Sequence, residues 1–169
     1  MQIKSWFFIF LMTILALTGI YSQSSLSYYE GDVTVLRNSR EMEADFGMDL
    51  LTGDLIRSGR NSVAIIEMEH GRTLKLREDS SLVLENLSRQ TSVALKKGSV
   101  FSRVERLSGG SFNVHTDAVV AGVRGTEFFM AFGETIDHEP DLWLCVNEGT
   151  VEVSLKKGDE SVLVEEGEG

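Results

Sequence analysis

The chain has 169 residues, with 26 acidic side chains against 16 basic ones and a net charge of −10 when the histidines are neutral. That length holds one domain with a core and is short for two. So acidic a surface repels phosphate backbones and anionic lipid, which argues against nucleic acid as a partner.

At the N-terminus, Lys4 precedes an apolar run from Trp6 to Leu17, interrupted only by Thr13, and small or polar residues (TGIYSQSS) follow. A basic start, an apolar stretch of this length and a small-residue exit describe a secretory signal peptide. The run is shorter than the ~20 apolar residues of a spanning helix. Residues 1–24 are therefore expected to be a signal peptide cleaved after Ser22 or Ser24, with an uncleaved anchor as the alternative. No cysteine follows the run, which argues against a lipid-modified N-terminus. Without Lys4 the remainder is one charge more acidic.

Beyond residue 27 the hydrophobic period is two. Val33 and Val35 alternate with Asp32 and Thr34; Leu74 and Leu76 alternate with Thr73, Lys75 and Arg77. The pairs Leu82/Leu84 and Val93/Leu95 and the series Val151, Val153, Leu155 repeat the pattern. These are half-buried strands. Turn signals separate them: SGRNS (58–62), EHGR (69–72), REDSS (77–81), KKGS (96–99), LSGGS (107–111) and KKGDES (156–161). Sixteen glycines against one proline, Pro140, mean that the chain turns by glycine. Only MEADFGMDLL (42–51) suggests a short helical turn. The expectation is an all-β fold: one compact domain over 27–169 with about ten to twelve short strands and a frayed acidic tail (EEGEG). The spacing of the glycine-led strands EGDVTV, GGSFNV and EGTVEV is unequal, so a strict solenoid repeat is not supported.

Signs of catalysis or metal binding are sparse. There is no Gly-x-Ser-x-Gly, no phosphate-binding Gly-Lys-Ser/Thr loop and no His-Glu-x-x-His. His70 falls in a hairpin turn, His115 at a strand end and His138 in a loop. His115 with Asp117 or Glu127 could form an acid–base group, but a surface histidine at a strand end is the commoner case. DHEPD (137–141) crowds oxygen ligands without the spacing of a calcium loop, and reads as a solvated hairpin loop anchored by Pro140. Zinc would need more His or Cys than the chain has. No cofactor is expected. The single cysteine, Cys145, sits in an alternating strand (Leu142, Leu144, Val146 against Trp143, Cys145) and is expected to be a small buried hydrophobe, with no internal disulfide possible.

One motif stands apart. Thr116 to Phe132 reads TDAVVAGVRGTEFFMAF, two apolar segments flanking a corner, with Arg124 between Gly122 and Gly125. Glycines there can let another backbone pass close or adopt angles closed to other residues. Arginine offers five donors in a fixed fork. It can pin the corner from a buried position, with Glu127 as a near partner, or it can reach a ligand.

The stretch T-D-A-V-V-A-G-V-R-G-T-E-F resembles the signature of the FecR-domain family, close to T-P-x-A-x-x-x-V-R-G-T-x-F, with Asp117 where the family often has proline. EGDVTV, the stretch from Leu50 to Leu82, LKKGSVFSRV and VNEGTVEV resemble the family's other strands in order, so the likeness runs from 29 to 167. It marks Thr116, Gly122, Val123, Arg124, Gly125, Thr126 and Phe128 as motif residues with a structural or binding role. The resemblance implies a periplasmic, solenoid-like or roll-like β module, with a sandwich as the alternative. The family's best-known members are transmembrane regulators of iron uptake. Their cytoplasmic segment controls a sigma factor, and their periplasmic part reads a transporter's signalling domain. With five residues before the apolar run, a stand-alone module without the cytoplasmic segment is expected here. Other members are envelope proteins joined to cell-wall-binding modules.

The expectation is a periplasmic or secreted, non-enzymatic module that binds an envelope protein or cell-wall glycan through edge-strand pairing. A structural protein assembling on itself is the alternative, and an enzyme of glycans or small molecules built on His115 the least supported reading.

Overall fold

The computed structural model describes residues 24–105, 109–134 and 140–169. The signal-peptide segment and most of the DHEPD loop lie outside them. Every regular element among the described residues is a strand. In chain order they are β1 (Ser24–Glu30), β2 (Val33–Arg37), β3 (Arg40–Glu43), β4 (Leu55–Ser58), β5 (Val63–Met68), β6 (Arg72–Leu76) and β7 (Ser80–Asn86). Then come β8 (Gln90–Val104), β9 (Ser111–His115), β10 (Val119–Val123), β11 (Thr126–Glu134), β12 (Pro140–Glu148), β13 (Thr150–Leu155) and β14 (Ser161–Glu165). The first strand opens at Ser24, three residues before the domain start read from the sequence.

Fourteen strands exceed the ten to twelve expected, and β3 is one reason. Asn38 and Ser39 both have positive φ (50° and 65°) and make a two-residue turn that doubles the chain back on β2. Two successive left-handed residues match the twist of a tight hairpin, and asparagine tolerates them best after glycine.

The strands form one hydrogen-bonded network that folds over into two layers. One layer runs β1-β5-β6-β8-β11-β12; the other runs β3-β2-β4-β7-β8-β9-β10-β13-β14. β8 belongs to both. Its first half pairs with β7 and β9, its second with β6 and β11. The change of layer falls at Gly98, whose φ is +85° and where an added Cβ would stand 2.5 Å from the Ser80 Cα. Only glycine fits so close a crossing. All pairings are antiparallel except β8 with β9. The chain visits the layers alternately, which makes the module a roll of hairpins.

Alternation drives the inner faces together. Leu26, Ile66, Leu74, Val100, Phe128 and Met130 from one layer meet Val35, Ile56, Leu82, Leu95, Phe112 and Val114 from the other in a single core. Each such large side chain stabilises by roughly 1.5–3 kcal/mol when fully buried. Two arginines tie loops to this core. Asp54, with no exposed surface, takes Arg37 through both carboxylate oxygens (2.7 and 2.6 Å) and also accepts the Leu51 N–H. Arg72 reaches Thr91 Oγ1 at 2.7 Å and the Arg89 carbonyl at 3.2 Å, and burial lowers the pKa of its guanidinium.

The tail does not fray. The Gly167 N–H donates to the Val146 carbonyl (2.9 Å), and the Val146 N–H donates to the Glu168 carbonyl (3.0 Å), so residues 166–169 lie along β12.

Candidate functional site

The Val-Arg-Gly-Thr corner joins β10 in one layer to β11 in the other. It begins with Thr116, buried at the β9–β10 turn, whose hydroxyl accepts from the Ala118 and Val119 N–H groups at 3.2 Å each. Its own N–H donates to the Val119 carbonyl. This side-chain mimic of a turn works without the proline common one residue later. Asp117 instead faces solvent and pairs with Lys96 at 3.0 Å; that hydrogen bond and charge hold its carboxyl below the usual range.

β10 then runs between β9 and β13, with Val123 opposite both Phe112 and Val151. Gly122 has no left-handed backbone, and an added Cβ would make ordinary contacts with Asn113 Oδ1 at 3.4 Å and the Glu152 carbonyl at 3.9 Å, so neither expected reason for glycine operates there. Gly125 does adopt positive φ (+67°). The close backbone passage is made against it: a Cβ on Gly149 (φ +88°) would stand 2.7 Å from the Gly125 carbonyl. Thr126, buried, donates its hydroxyl to the Thr150 carbonyl at 3.1 Å, and Phe128 enters the core with no exposed surface. Six of the seven motif residues therefore belong to the strands or the turns that join them.

Arg124 is the exception. It is exposed and makes no hydrogen bond or ion pair with any described residue. Of the two readings left open for Arg124, the buried pin does not hold. Val123 points inward, so alternation turns Arg124 outward, and Gly125 with Thr126 holds the corner instead. Glu127, its suggested partner, is taken by Arg103 at 2.7 Å and by Asn147 at 3.3 Å; the Arg103 hydrogen bond keeps that carboxyl below its usual range. The arginines that pin loops lie elsewhere, Arg72 buried and Arg37 half-buried on the buried Asp54, and sequence reading passed over them because neither stands in a motif. Arg37 carried a faint signal, an arginine closing a strand whose partner Asp54 follows a glycine turn.

His115 is buried, not a surface group as expected. Its Nε2 lies 2.6 Å from Glu85 Oε2, spanning β8 from β9 to β7, and its Nδ1 lies 3.3 Å from the Thr116 carbonyl. Burial would raise the Glu85 carboxyl; the His115 hydrogen bond and charge, with Ser92 and Lys156, outweigh it and bring it below the ordinary value. The sequence candidates Asp117 and Glu127 do not join His115. The three groups fall into three separate pairs, with Glu127 in the other layer.

Cys145 is exposed on the outer face of β12, so the buried-thiol expectation is also corrected: it shares its face with Trp143, opposite Leu144 and Val146. His70 sits in the β5–β6 turn at φ +66°, as read from the sequence. Of DHEPD only Asp141 has a described side chain; it accepts the Trp143 indole N–H at 3.3 Å. Among the described residues no three His, Cys, Asp or Glu side chains are gathered closely enough to hold a metal ion. Beneath the corner a polar groove of about 370 Å³ is lined by Arg103, Val104, Glu105, Gly125, Thr126, Glu127 and Glu148.

No curated protein matches this chain. Two crystal structures of a candidate anti-sigma factor from Parabacteroides distasonis share its fold, each with a TM-score of 0.56 and 19% identity over 66% of this chain. The match spans 51% of that protein, about half its length. The profile of the family described as FecR protein matches residues 54–167, from the buried Asp54 through the corner to the tail on β12. The chain belongs to the FecR family.

Proposed function

We propose that this chain is an exported, non-enzymatic FecR module that takes part in regulation by binding another envelope component, a protein in the first instance. The observation that carries the reading is Arg124. In a corner where every other motif residue is held in a strand, turn or core, one five-donor side chain stands exposed with no partner among the described residues. An unpaired guanidinium is suited to carboxylates or clustered carbonyls of a partner. The similarity to a protein described as a candidate anti-sigma factor supports a regulatory rather than catalytic role, as does the dispersal of His115, Asp117 and Glu127 into separate hydrogen-bonded pairs.

The test is a photo-crosslinking residue placed at position 124 in cells, with a second at the exposed Arg57 on β4, four strands from β10 in the same layer. A discrete protein adduct in the envelope fraction at 124 alone supports the reading. Adducts at both positions alike, or none at 124, overturn it. Sedimentation of the chain with purified cell-wall glycan separates the glycan case.

A further inference from the structure

Among the described residues the network has four edge strands, and three of them are covered in part or rimmed with charge. β1 is strapped by the loop that follows β3: the Leu26 N–H donates to the Met48 carbonyl, and the Gly47 and Leu50 N–H groups donate to the Leu26 and Ser24 carbonyls. β3 is four residues long and carries exposed Arg40, Glu41 and Glu43, a charged rim that resists pairing. β12 is covered at Val146 by the tail.

β14 is different. Its register with β13 pairs Val151 with Val164 and Val153 with Val162, and the Leu155 N–H donates to the Glu160 carbonyl. The antiparallel alternation then turns the backbone of Val162 and Val164 toward β13, and that of Ser161, Leu163 and Glu165 away from it. The Glu165 N–H is taken by Glu168 Oε2 at 3.0 Å. Ser161 and Leu163 are left facing outward on an edge that no described strand covers. The side chains repeat the message, since Val162 and Leu163 are 58% and 61% exposed. Beside them a mostly apolar groove of about 280 Å³ is lined by Val153, Leu155 and Val162 with Ser154, Glu160 and Ser161.

We infer that the open edge of β14 is a docking site for an extended segment of a partner protein that adds a strand and alternates apolar with basic residues. The free backbone groups supply the ladder, as in strand addition to any sheet edge. The inner face of the added strand would lie over Val162 and Val164. Its outer face would meet Leu163, with Glu165 beside it and Glu152 across on β13. Those carboxylates, with Glu160 at the turn and Glu166 beyond, call for lysine or arginine. A second copy of the chain would bring the same acidic edge against itself, so like charges oppose self-pairing. This inference rests on the reading of the module as a binding protein, and names a partner class and a surface distinct from Arg124.

The test is a titration of the isotopically labelled chain, followed by amide NMR, with a nine-residue peptide alternating lysine with valine and threonine. Its glutamate counterpart serves as control. The expected result is shifts centred on Ser161–Glu165 with the lysine peptide alone. Leu163→Pro should weaken them at least about tenfold, because proline lacks the N–H yet is tolerated where that N–H faces away from the neighbouring strand. If that variant unfolds, Leu163→Lys tests the same point by charge, with the same loss expected. Shifts spread over the acidic surface away from β14, or unchanged binding by the variant that folds, overturn the inference. So does a mass that rises with concentration in wild type and falls to monomer in Leu163→Lys, which would make a second copy the occupant. If the peptide fails while crosslinking at position 124 succeeds, the β14 inference falls and the binding reading stands. The reverse result displaces Arg124 and leaves β14.

Discussion

At the N-terminal end of the roll, β1 and β3 are edge strands whose free backbone is covered by a loop or rimmed with charge. The loop from Ala44 to Asp54 is itself anchored by the Arg37–Asp54 contact and a further bond from Arg37 to the Asp49 carbonyl. At the C-terminal end, β12 has a short cover in residues 166–169, and the edge of β14 at Ser161 and Leu163 has none among the described residues. The ends differ in what holds them. One is closed by a buried charge that satisfies several donors, the other by a few main-chain bonds near the surface. A closed edge resists pairing; an open one invites it.

The closed end should break hardest. Asp54→Ala strips Arg37 and the Leu51 N–H of their acceptor, and a loss of about 3–5 kcal/mol is expected in chemical unfolding, the range for removing one member of a buried pair. A loss below about 1 kcal/mol would remove the contrast between the ends. Next comes Gly149→Ala, which combines a left-handed backbone with a 2.7 Å approach to the Gly125 carbonyl; roughly 2 kcal/mol is expected from the same measurement. Gly122→Ala, in the same motif but free of both constraints, should stay within about 0.5 kcal/mol.

Deleting residues 166–169 should cost about 1 kcal/mol. Hydrogen exchange should show the Val146 amide losing protection while those of β10 keep theirs. Arg124→Lys should change stability by no more than about 0.5 kcal/mol, as at other surface sites, because no described group depends on its fork. A loss of several kcal/mol there would return Arg124 to a structural role.

The smallest effect concerns pH. The folded Glu85 carboxyl lies below its ordinary value, so its contribution to stability is complete above the usual carboxylate range. That contribution is lost as pH falls through the lowered folded value. Glu85→Gln should therefore flatten the acid limb of the stability profile. An unchanged limb would show that the His115 contact does not contribute, which is credible for a carboxylate 40% exposed.

Much of the fold was legible in the residues. Period-two alternation marked most of the strands, and the glycine turns at Gly71 and Gly110 fall where positive φ is found, whereas the turn expected at KKGS is a bend at Gly98 inside the continuous β8. The Val-Arg-Gly-Thr corner identified the family before any contact was known. Other features were not legible. The Asn38–Ser39 turn has no glycine to announce it. Nothing local says that the acidic tail pairs with β12, because composition reports solvation and not the carbonyl waiting at Val146.

The sequence by itself determined that this is a single β module of the FecR family and which side chains could be inside. Alternation and turn chemistry are local properties, set within a few residues of each position. Tertiary structure alone decided which arginine is buried, which carboxylate meets His115, that Cys145 faces outward and that no described strand lies along the outer edge of β14. Each of those depends on residues brought together from distant parts of the chain, and burial is decided by what lies across the layer rather than by what lies alongside in sequence.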